Sequence, residues 1–228
     1  DHSERMLARF GARVAREARC VTLSPSAAGL RGTTVRVPGD ISSAAFLLVA
    51  GAIVPDGRVT VRDVGVNPTR TGLLDVLEAM GVRIGRSGES DEGEPTASLS
   101  VEAAALRGTT VGGALIPRLI DEVPALAVAA AVASGVTTIG DAAELRVKES
   151  DRIAALAGAL GRLGARVREA PDGLVIEGGQ RLRGAQVTSG GDHRMAMALV
   201  VAGLVADGET VIEDTACVGT SFPGFVET

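Results

Sequence analysis

The chain has 228 residues, of which 46% are hydrophobic and 22% are charged, a balance ordinary for a globular protein. Its net charge of -5 argues against a broad basic surface for nucleic acid. Its apolar runs are too short to span a bilayer. Its isolated cysteines, Cys20 and Cys217, lack the spacing of a metal site or a disulfide framework. We therefore expect a cytoplasmic protein that binds neither nucleic acid nor membranes.

The N-terminal segment, residues 1–36, predicts a short mixed structure that differs from the rest of the chain. It opens as the end of an amphipathic helix, which a glycine C-cap at Gly11 terminates. It continues as short strands around turn signals at 24–26, with a last strand at 35–37. We expect this segment to be the end of an N-terminal domain, and the chain to be a fragment of a longer protein.

Residues 37–228 contain three similar stretches in the same order. Each opens with an acidic residue, continues as an apolar helix, reaches a glycine and ends in a short β run. The acidic residues are Asp40, Asp121 and Asp192, and the β runs are 59–61, 137–139 and 210–212. Such self-similarity is typical of a repeated supersecondary unit. Because the polar openings then occupy equivalent places in the fold, their side chains can converge.

The helices of this region fall into two kinds. Those that follow Asp121 and Asp192 are apolar on every side, which is typical of helices that are buried all round. Those that follow Thr71 and Asp151 carry one apolar stripe and end at glycine C-caps, so one face of each should be exposed. The pattern therefore predicts an α/β fold of repeated β-α-β-α units, with helices inside and sheets outside.

Between the helices, the sequence predicts strands and one exposed loop. Val59, Val61 and Val64 recur among polar residues, as in a strand with one buried face. Residues 85–95 are rich in glycine, serine and acidic residues and have no apolar periodicity, which predicts a solvent-exposed loop.

The densest cluster of charges is the segment 144–152, Glu-Leu-Arg-Val-Lys-Glu-Ser-Asp-Arg, at the start of a striped helix. Lys148 and Arg152 have helical i, i+4 spacing and can share one side of the chain. Cations in a first helical turn oppose the macrodipole, a conflict that a bound phosphate or carboxylate would resolve. The alternative is a solvated charged turn with local salt bridges.

Two acidic openings each have a structural and a functional interpretation. In the segment 191–194, Asp192 is either an N-cap with exposed neighbours or the start of a His-Arg pair aimed at an anion. Before Pro124, Asp121 or Glu122 is a cap in the first turn of a helix, or Asp121 is a buried carboxylate that accepts a proton.

Two more motifs, at 38–43 and 67–72, are typical of capping and turn chemistry. In the second of them, Arg70 could also reach an anion. Taken together, these polar openings indicate anion binding more strongly than any one of them does alone.

Four motifs resemble the signatures of the 5-enolpyruvylshikimate-3-phosphate synthase family, in the family's order and across the whole chain. They are Pro38–Ala44, Asn67–Gly72, Leu145–Arg152 and Gly191–Met197. The resemblance implies two domains, each with three βαβαββ units in an inside-out α/β barrel with buried helices, the enolpyruvyl transferase fold. Residues 37–228 would then be the C-terminal domain with its last helix truncated, and residues 1–36 the end of the N-terminal domain.

The resemblance also implies an activity. The enolpyruvyl group of phosphoenolpyruvate is transferred to the 5-hydroxyl of shikimate 3-phosphate, phosphate is released, and no metal or cofactor is required. Asp121 resembles the carboxylate that binds the shikimate hydroxyls and acts as the base. Glu149 matches the acid that moves a proton on and off the C3 methylene.

Four basic residues complete the site that the resemblance implies. Lys148 resembles the residue that bridges both substrates and stabilises developing charge. Arg152 and Arg194 match the pair that grips phosphoenolpyruvate, and His193 resembles a supporting hydrogen-bond donor. Thr220 stands where many class I members carry a lysine that contacts phosphoenolpyruvate. The chain is thus most similar to the glyphosate-tolerant class II bacterial form, which we expect to be monomeric at full length.

Two other functions remain open from the sequence. The related UDP-N-acetylglucosamine enolpyruvyl transferase shares the fold, although its pattern has no counterpart of the Lys-Glu-Ser-Asp-Arg string. The other is a non-catalytic binding module of the same fold, and the intact acidic and basic residues of the motifs argue against it.

Overall fold

A computed structural model describes residues 1–18, 20–24 and 29–228. The helices are α1 (His2–Arg9), α2 (Ile41–Ile53), α3 (Gly72–Ala79), α4 (Val123–Val132), α5 (Arg152–Arg162) and α6 (His193–Gly203). The strands are β1 (Arg13–Glu17), β2 (Cys20–Ser24), β3 (Arg58–Gly65), β4 (Ile84–Ser90), β5 (Thr96–Glu102), β6 (Thr110–Val111), β7 (Val136–Ile139), β8 (Arg166–Ala170), β9 (Gly173–Glu177), β10 (Gln186–Thr188) and β11 (Val211–Glu213). The turn predicted at 24–26 lies mostly outside the described residues.

The N-terminal segment folds as α1 followed by the antiparallel hairpin of β1 and β2. Gly11 follows α1 with a φ of 88°, the left-handed value of a glycine C-cap, which confirms the predicted helix end. The strand predicted at 35–37 is wrong, because these residues pair with no strand in the described part of the chain and Val37 is 82% exposed. High β-propensity alone does not make a strand without a packed neighbour.

Helices α2, α4 and α6 form the centre of the fold and pack directly against one another. Every residue of α4 from 123 to 131 is buried, and α2 and α6 are buried along most of their length. Because these helices have no polar face, only neighbours on all sides can remove their side chains from water. The predicted all-round burial of α4 and α6 is confirmed. Among the described residues, no helix is both long and apolar enough to cross a bilayer.

Helices α3 and α5 each keep one face in solvent, as their apolar stripes predict. In α3, Leu73 and Leu77 are buried whereas Asp75 is exposed. Gly81 and Gly164 follow the two helices with φ values of 104° and 90°, so both predicted glycine C-caps are confirmed. Each helix begins directly after a polar motif, residues 67–71 before α3 and residues 144–151 before α5.

The sheets lie outside the three central helices. Their strand orders are β3-β5-β4, β6-β7-β9-β8 and β10-β11. In each repeat, the segment before the central helix pairs in parallel with the strand after it, through the Gly39–Val64 bridge, β6–β7 and β10–β11. This shared β-α-β arrangement confirms the three predicted repeats.

The first sheet has two features that the sequence pattern did not specify. A bulge lies between Val61 and Val64, with Asp63 at a φ of 55°, and it keeps Val64 facing the interior. The loop predicted at 85–95 is wrong over residues 85–90, which belong to β4 and pair with β5. The polar side chains of β4 suit an exposed sheet edge, because β5 supplies the apolar residues that face the core.

Candidate anion-binding site

The three acidic residues that open the repeats play different parts. Asp40 caps α2 by accepting from two backbone N–H groups at 3.1 and 2.9 Å, and Asp192 caps α6 in the same way at 2.9 and 3.4 Å. Neither Asp121 nor Glu122 caps α4 with its side chain in the described structure. Both lie instead in a 3-10 turn, Ile120–Glu122, that leads into α4. The interpretation of Asp121 as a cap is therefore wrong.

The carboxylate of Asp121 lies among three cations from separate parts of the chain. Its Oδ1 is 3.4 Å from Nη1 of Arg152 and 3.6 Å from Nζ of Lys148. Its Oδ2 is 3.7 Å from Nη2 of Arg194, which also donates through Nη1 to the Asp121 carbonyl oxygen at 3.4 Å. The segments at the starts of α5 and α6 thus meet at the turn before α4.

These cations control the ionisation of Asp121. Partial burial by itself would raise the pKa of Asp121, but the charges of Arg194, Lys148 and Arg152 outweigh it and hold the pKa below its usual value. Asp121 is therefore ionised at neutral pH. In this state it is a good hydrogen-bond acceptor and a weak base.

Arg152 is fully buried and is surrounded by carboxylates. Its Nε donates to Asp192 at 2.8 Å, and its Nη2 donates to Asp192 at 3.3 Å and to Glu149 at 2.6 Å. Its Nη1 faces Asp121. Because the Arg152 side chain has 0% exposure, it can touch a ligand only if Glu149 or Asp121 moves aside. Sequence reasoning did not anticipate this burial.

The accessible cations are Lys148 and Arg194, whose side chains are 22% and 16% exposed. A hydrogen bond to Glu144, at 2.6 Å, raises the pKa of Lys148, so its ammonium group stays charged. Burial, reinforced by the nearby Arg194, lowers the pKa of His193, so its imidazole is neutral at neutral pH. The His193 ring has no hydrogen-bond partner within the described part of the chain, whereas the other five predicted site residues form one connected cluster.

The charged segment 144–152 is only partly directed at this cluster. Arg146 donates to the carbonyl oxygens of Pro171 at 2.9 Å and Ala170 at 2.8 Å, and to Asp151 at 2.9 Å. Its donors therefore hold the segment against the β8–β9 turn. The predicted local salt bridges are present in this segment, as Arg146–Asp151, Lys148–Glu144 and Arg152–Glu149. Lys148 and Arg152 in addition face Asp121.

A second polar cluster lies beside the first, and the sequence analysis predicted only Arg70 of it as a possible anion-binding residue. Glu122 is 1% exposed, and Ser42 in the first turn of α2 is 2% exposed. The Ser42 hydroxyl donates to Oε1 of Glu122 and accepts from Nη2 of Arg70 at 2.9 Å. An acid directly after Asp121 in a short turn was the available signal, because adjacent side chains of a tight turn face different ways.

Comparison with solved structures places this fold among the enolpyruvyl transferases. The enolpyruvyl transferase NikO from Streptomyces tendae matches 97% of this chain and 50% of its own chain, with a TM-score of 0.78. The two sequences are 20% identical, so this similarity shows the shared fold. The expected enolpyruvyl transferase fold is confirmed.

The chain belongs to the EPSP synthase (3-phosphoshikimate 1-carboxyvinyltransferase) family, whose profile matches residues 1–228. The 3-phosphoshikimate 1-carboxyvinyltransferase of Desulforudis audaxviator is 59% identical over 99% of this chain, and that of Gloeobacter violaceus is 58% identical over 100%. EPSP synthase from Acinetobacter baumannii matches 100% of the chain with a TM-score of 0.94 and 42% identity. The chain spans about half the length of these relatives, 52% of both curated proteins and 53% of the solved chain.

Proposed function

We propose that this chain forms one wall of the active site of an EPSP synthase. The reaction transfers the enolpyruvyl group of phosphoenolpyruvate to the 5-hydroxyl of shikimate 3-phosphate and releases phosphate. The observation that carries the proposal is the convergence of Lys148, Arg152 and Arg194 on the Asp121 carboxylate. Residues 37–228 would be the C-terminal domain, and family membership supports the same assignment.

The charges of the site suit two anionic substrates. Lys148 and Arg194 are accessible, and in the unliganded arrangement they neutralise Asp121. When a phosphate or carboxylate of the substrate binds to Lys148 and Arg194, these cations stabilise the charge of Asp121 less. The pKa of Asp121 therefore rises. Binding of the anion would thereby turn Asp121 from a weak base into a better one at the moment when a hydroxyl must be deprotonated.

The chemistry divides between two carboxyl groups. Asp121 accepts the proton of the 5-hydroxyl while the hydroxyl oxygen adds to C2 of phosphoenolpyruvate, and the carboxylic acid form of Glu149 delivers a proton to C3. The Glu149 carboxylate then takes a proton back from C3 while the C2–O bond to phosphate breaks, which regenerates the double bond in the product. The leaving phosphate takes up the proton held by Asp121. The half-exposed Glu149 carboxylate, 2.6 Å from buried Arg152, is held beside the cations without being enclosed by them.

The experiment that tests this function uses a hybrid in which this chain replaces the matching 52% of the Desulforudis audaxviator relative. We expect the hybrid to release phosphate from phosphoenolpyruvate with shikimate 3-phosphate as the acceptor. Turnover only with UDP-N-acetylglucosamine would contradict the proposed acceptor. A folded hybrid that binds both substrates without turnover would instead support a non-catalytic module.

Replacing Arg194 should affect the two substrates unequally. In the hybrid, we expect Arg194→Ala to raise the KM for phosphoenolpyruvate much more than the KM for shikimate 3-phosphate. Charge-assisted hydrogen bonds are worth on the order of 1.5–3 kcal/mol each, so the ratio of the two KM values should change at least about tenfold. Arg58→Ala is the matched control, because Arg58 is 75% exposed and pairs with Glu102 on the outer sheet. Equal KM increases for both substrates would refute the role of Arg194.

A further inference from the structure

Arg70 differs from other arginines near the site in how its donors are used. Arg118 donates to the carbonyl oxygen of Pro68 and to Thr71, and it pairs with Asp75, so all its nitrogens are engaged. Arg70 donates only through Nη2 within the described part of the chain, and its side chain is 35% exposed. Its Nε and Nη1 groups are therefore free to bind a ligand.

The guanidinium of Arg70 is held from the interior by two buried side chains. Its Nη2 is 2.9 Å from the Ser42 hydroxyl and 3.8 Å from Oε1 of Glu122. Glu122 is 1% exposed, and burial raises the pKa of its carboxyl group, while the hydrogen bond from Ser42 and the charge of Arg70 oppose that rise. Among the described residues, Arg70 is the cation within salt-bridge distance of Glu122. The buried acid thus fixes the position of one guanidinium.

This cluster is part of the same site as Asp121. Glu122 and Asp121 are neighbours in the turn before α4, one facing Arg70 and the other facing Lys148, Arg152 and Arg194. Burial raises the pKa of Asp121, and the charge of Arg70 helps the stronger charges of Arg194, Lys148 and Arg152 to lower it. Arg70 therefore lies at the edge of the cation cluster, on the side of α2.

We propose that Arg70 is a further anion-binding residue of this site, and that Ser42 and Glu122 are positioning residues that hold its guanidinium toward the ligand. The inference rests on the proposed function, because it takes the ligand to be a phosphorylated substrate. It assigns a cation from the first repeat to a site whose other cations come from the second and third. All three repeats then contribute to binding of the anion.

Binding of inorganic phosphate to the 228-residue chain, followed by phosphorus NMR, tests the role of Arg70. We expect Arg70→Gln to weaken phosphate binding about tenfold, since a charge-assisted contact is lost. Arg58→Gln, on the outer sheet, should leave the Kd unchanged. An unchanged Kd in Arg70→Gln, or no phosphate binding by the wild-type chain, would overturn the inference. Neither result depends on turnover by the hybrid. A failure of the proposed function would appear in the turnover experiment and not in this binding experiment.

A double-mutant cycle tests the positioning role of Glu122. If Glu122 acts through Arg70, Glu122→Gln should weaken phosphate binding severalfold, and adding it to Arg70→Gln should cause no further loss. Losses that add in full would show that Glu122 acts independently of Arg70. Ser42→Ala provides a second variant with the same expected dependence on Arg70, should Glu122→Gln fail to fold. Circular dichroism of each variant separates weakened binding from loss of structure.

Discussion

Asp192→Asn should lower the free energy of unfolding by about 3–5 kcal/mol, the usual cost of removing one partner of a buried ion pair. Asp192 and Arg152 both have 0% side-chain exposure, and the substitution leaves the guanidinium without its fully buried counter-charge. Asparagine still caps a helix, so the change isolates the ion pair from the cap. Urea unfolding followed by circular dichroism measures the effect, since the chain has no tryptophan.

Asp40→Asn is the matched control for this experiment. Asp40 caps α2 in the equivalent place of the first repeat and accepts only from the first turn of its own helix within the described structure. Because asparagine and aspartate are similar N-caps, Asp40→Asn should change the free energy of unfolding by only a few tenths of a kcal/mol. Equal losses in Asp40→Asn and Asp192→Asn would show that the Arg152–Asp192 pair contributes nothing of its own.

The pH dependence of the Asp192→Asn effect gives a further check. Burial alone would raise the pKa of Asp192, but Arg152 and Ser150 outweigh it and lower the pKa below that of the unfolded chain. A carboxyl group with a lowered native pKa stabilises the fold above its unfolded pKa and loses that contribution as the pH falls through the native pKa. The stability gap between wild type and Asp192→Asn should therefore be largest near neutral pH and shrink in acid. If the difference in stability does not change with pH, altered packing causes the loss and the charge of Asp192 does not.

Asp121→Asn should lower the kcat of the hybrid by on the order of 10²–10⁴-fold, the usual contribution of a general base. The amide cannot accept the proton of the attacking hydroxyl. It also releases Lys148 and Arg194 from a competing carboxylate, so the KM for phosphoenolpyruvate should stay the same or fall. Steady-state phosphate release over a range of both substrates measures the two constants.

Glu102→Gln is the control for loss of one acidic group, because Glu102 is 67% exposed and pairs with Arg58 on the outer sheet. It should leave both constants unchanged. If the kcat of Asp121→Asn is within about threefold of the wild-type value, Asp121 is not the general base, because loss of a general base lowers kcat far more.

Much of the fold was predictable because its signals are local and repeated. The apolar surface of α4 requires burial on every side, and the glycines after the striped helices require left-handed backbone, whatever surrounds them. The errors at 35–37 and 85–90 have one cause. Whether an extended segment becomes a strand depends on a partner strand to pair with, and the composition of the segment itself does not specify that partner.

The sequence predicted which residues belong to the candidate site better than it predicted how they are arranged. The charge motifs identified Asp121, Lys148 and Arg194, which the fold brings together. The full burial of Arg152 and the inward direction of Glu122 depend on how three repeats meet, and neither follows from a motif taken alone. The catalytic and substrate-binding roles of these residues stay predictions until they are measured.

We propose that this chain supplies one wall of a site, and that a second part such as its longer relatives carry completes it. The direct test provides this chain and the remaining half of the Desulforudis audaxviator relative as separate polypeptides, with both substrates present. We expect no phosphate release by this chain alone, because Lys148 and Arg194 stay partly exposed to water, which weakens their stabilisation of developing charge. Release should appear when the two polypeptides are mixed. Turnover by this chain alone at a rate near that of the mixture would contradict the account.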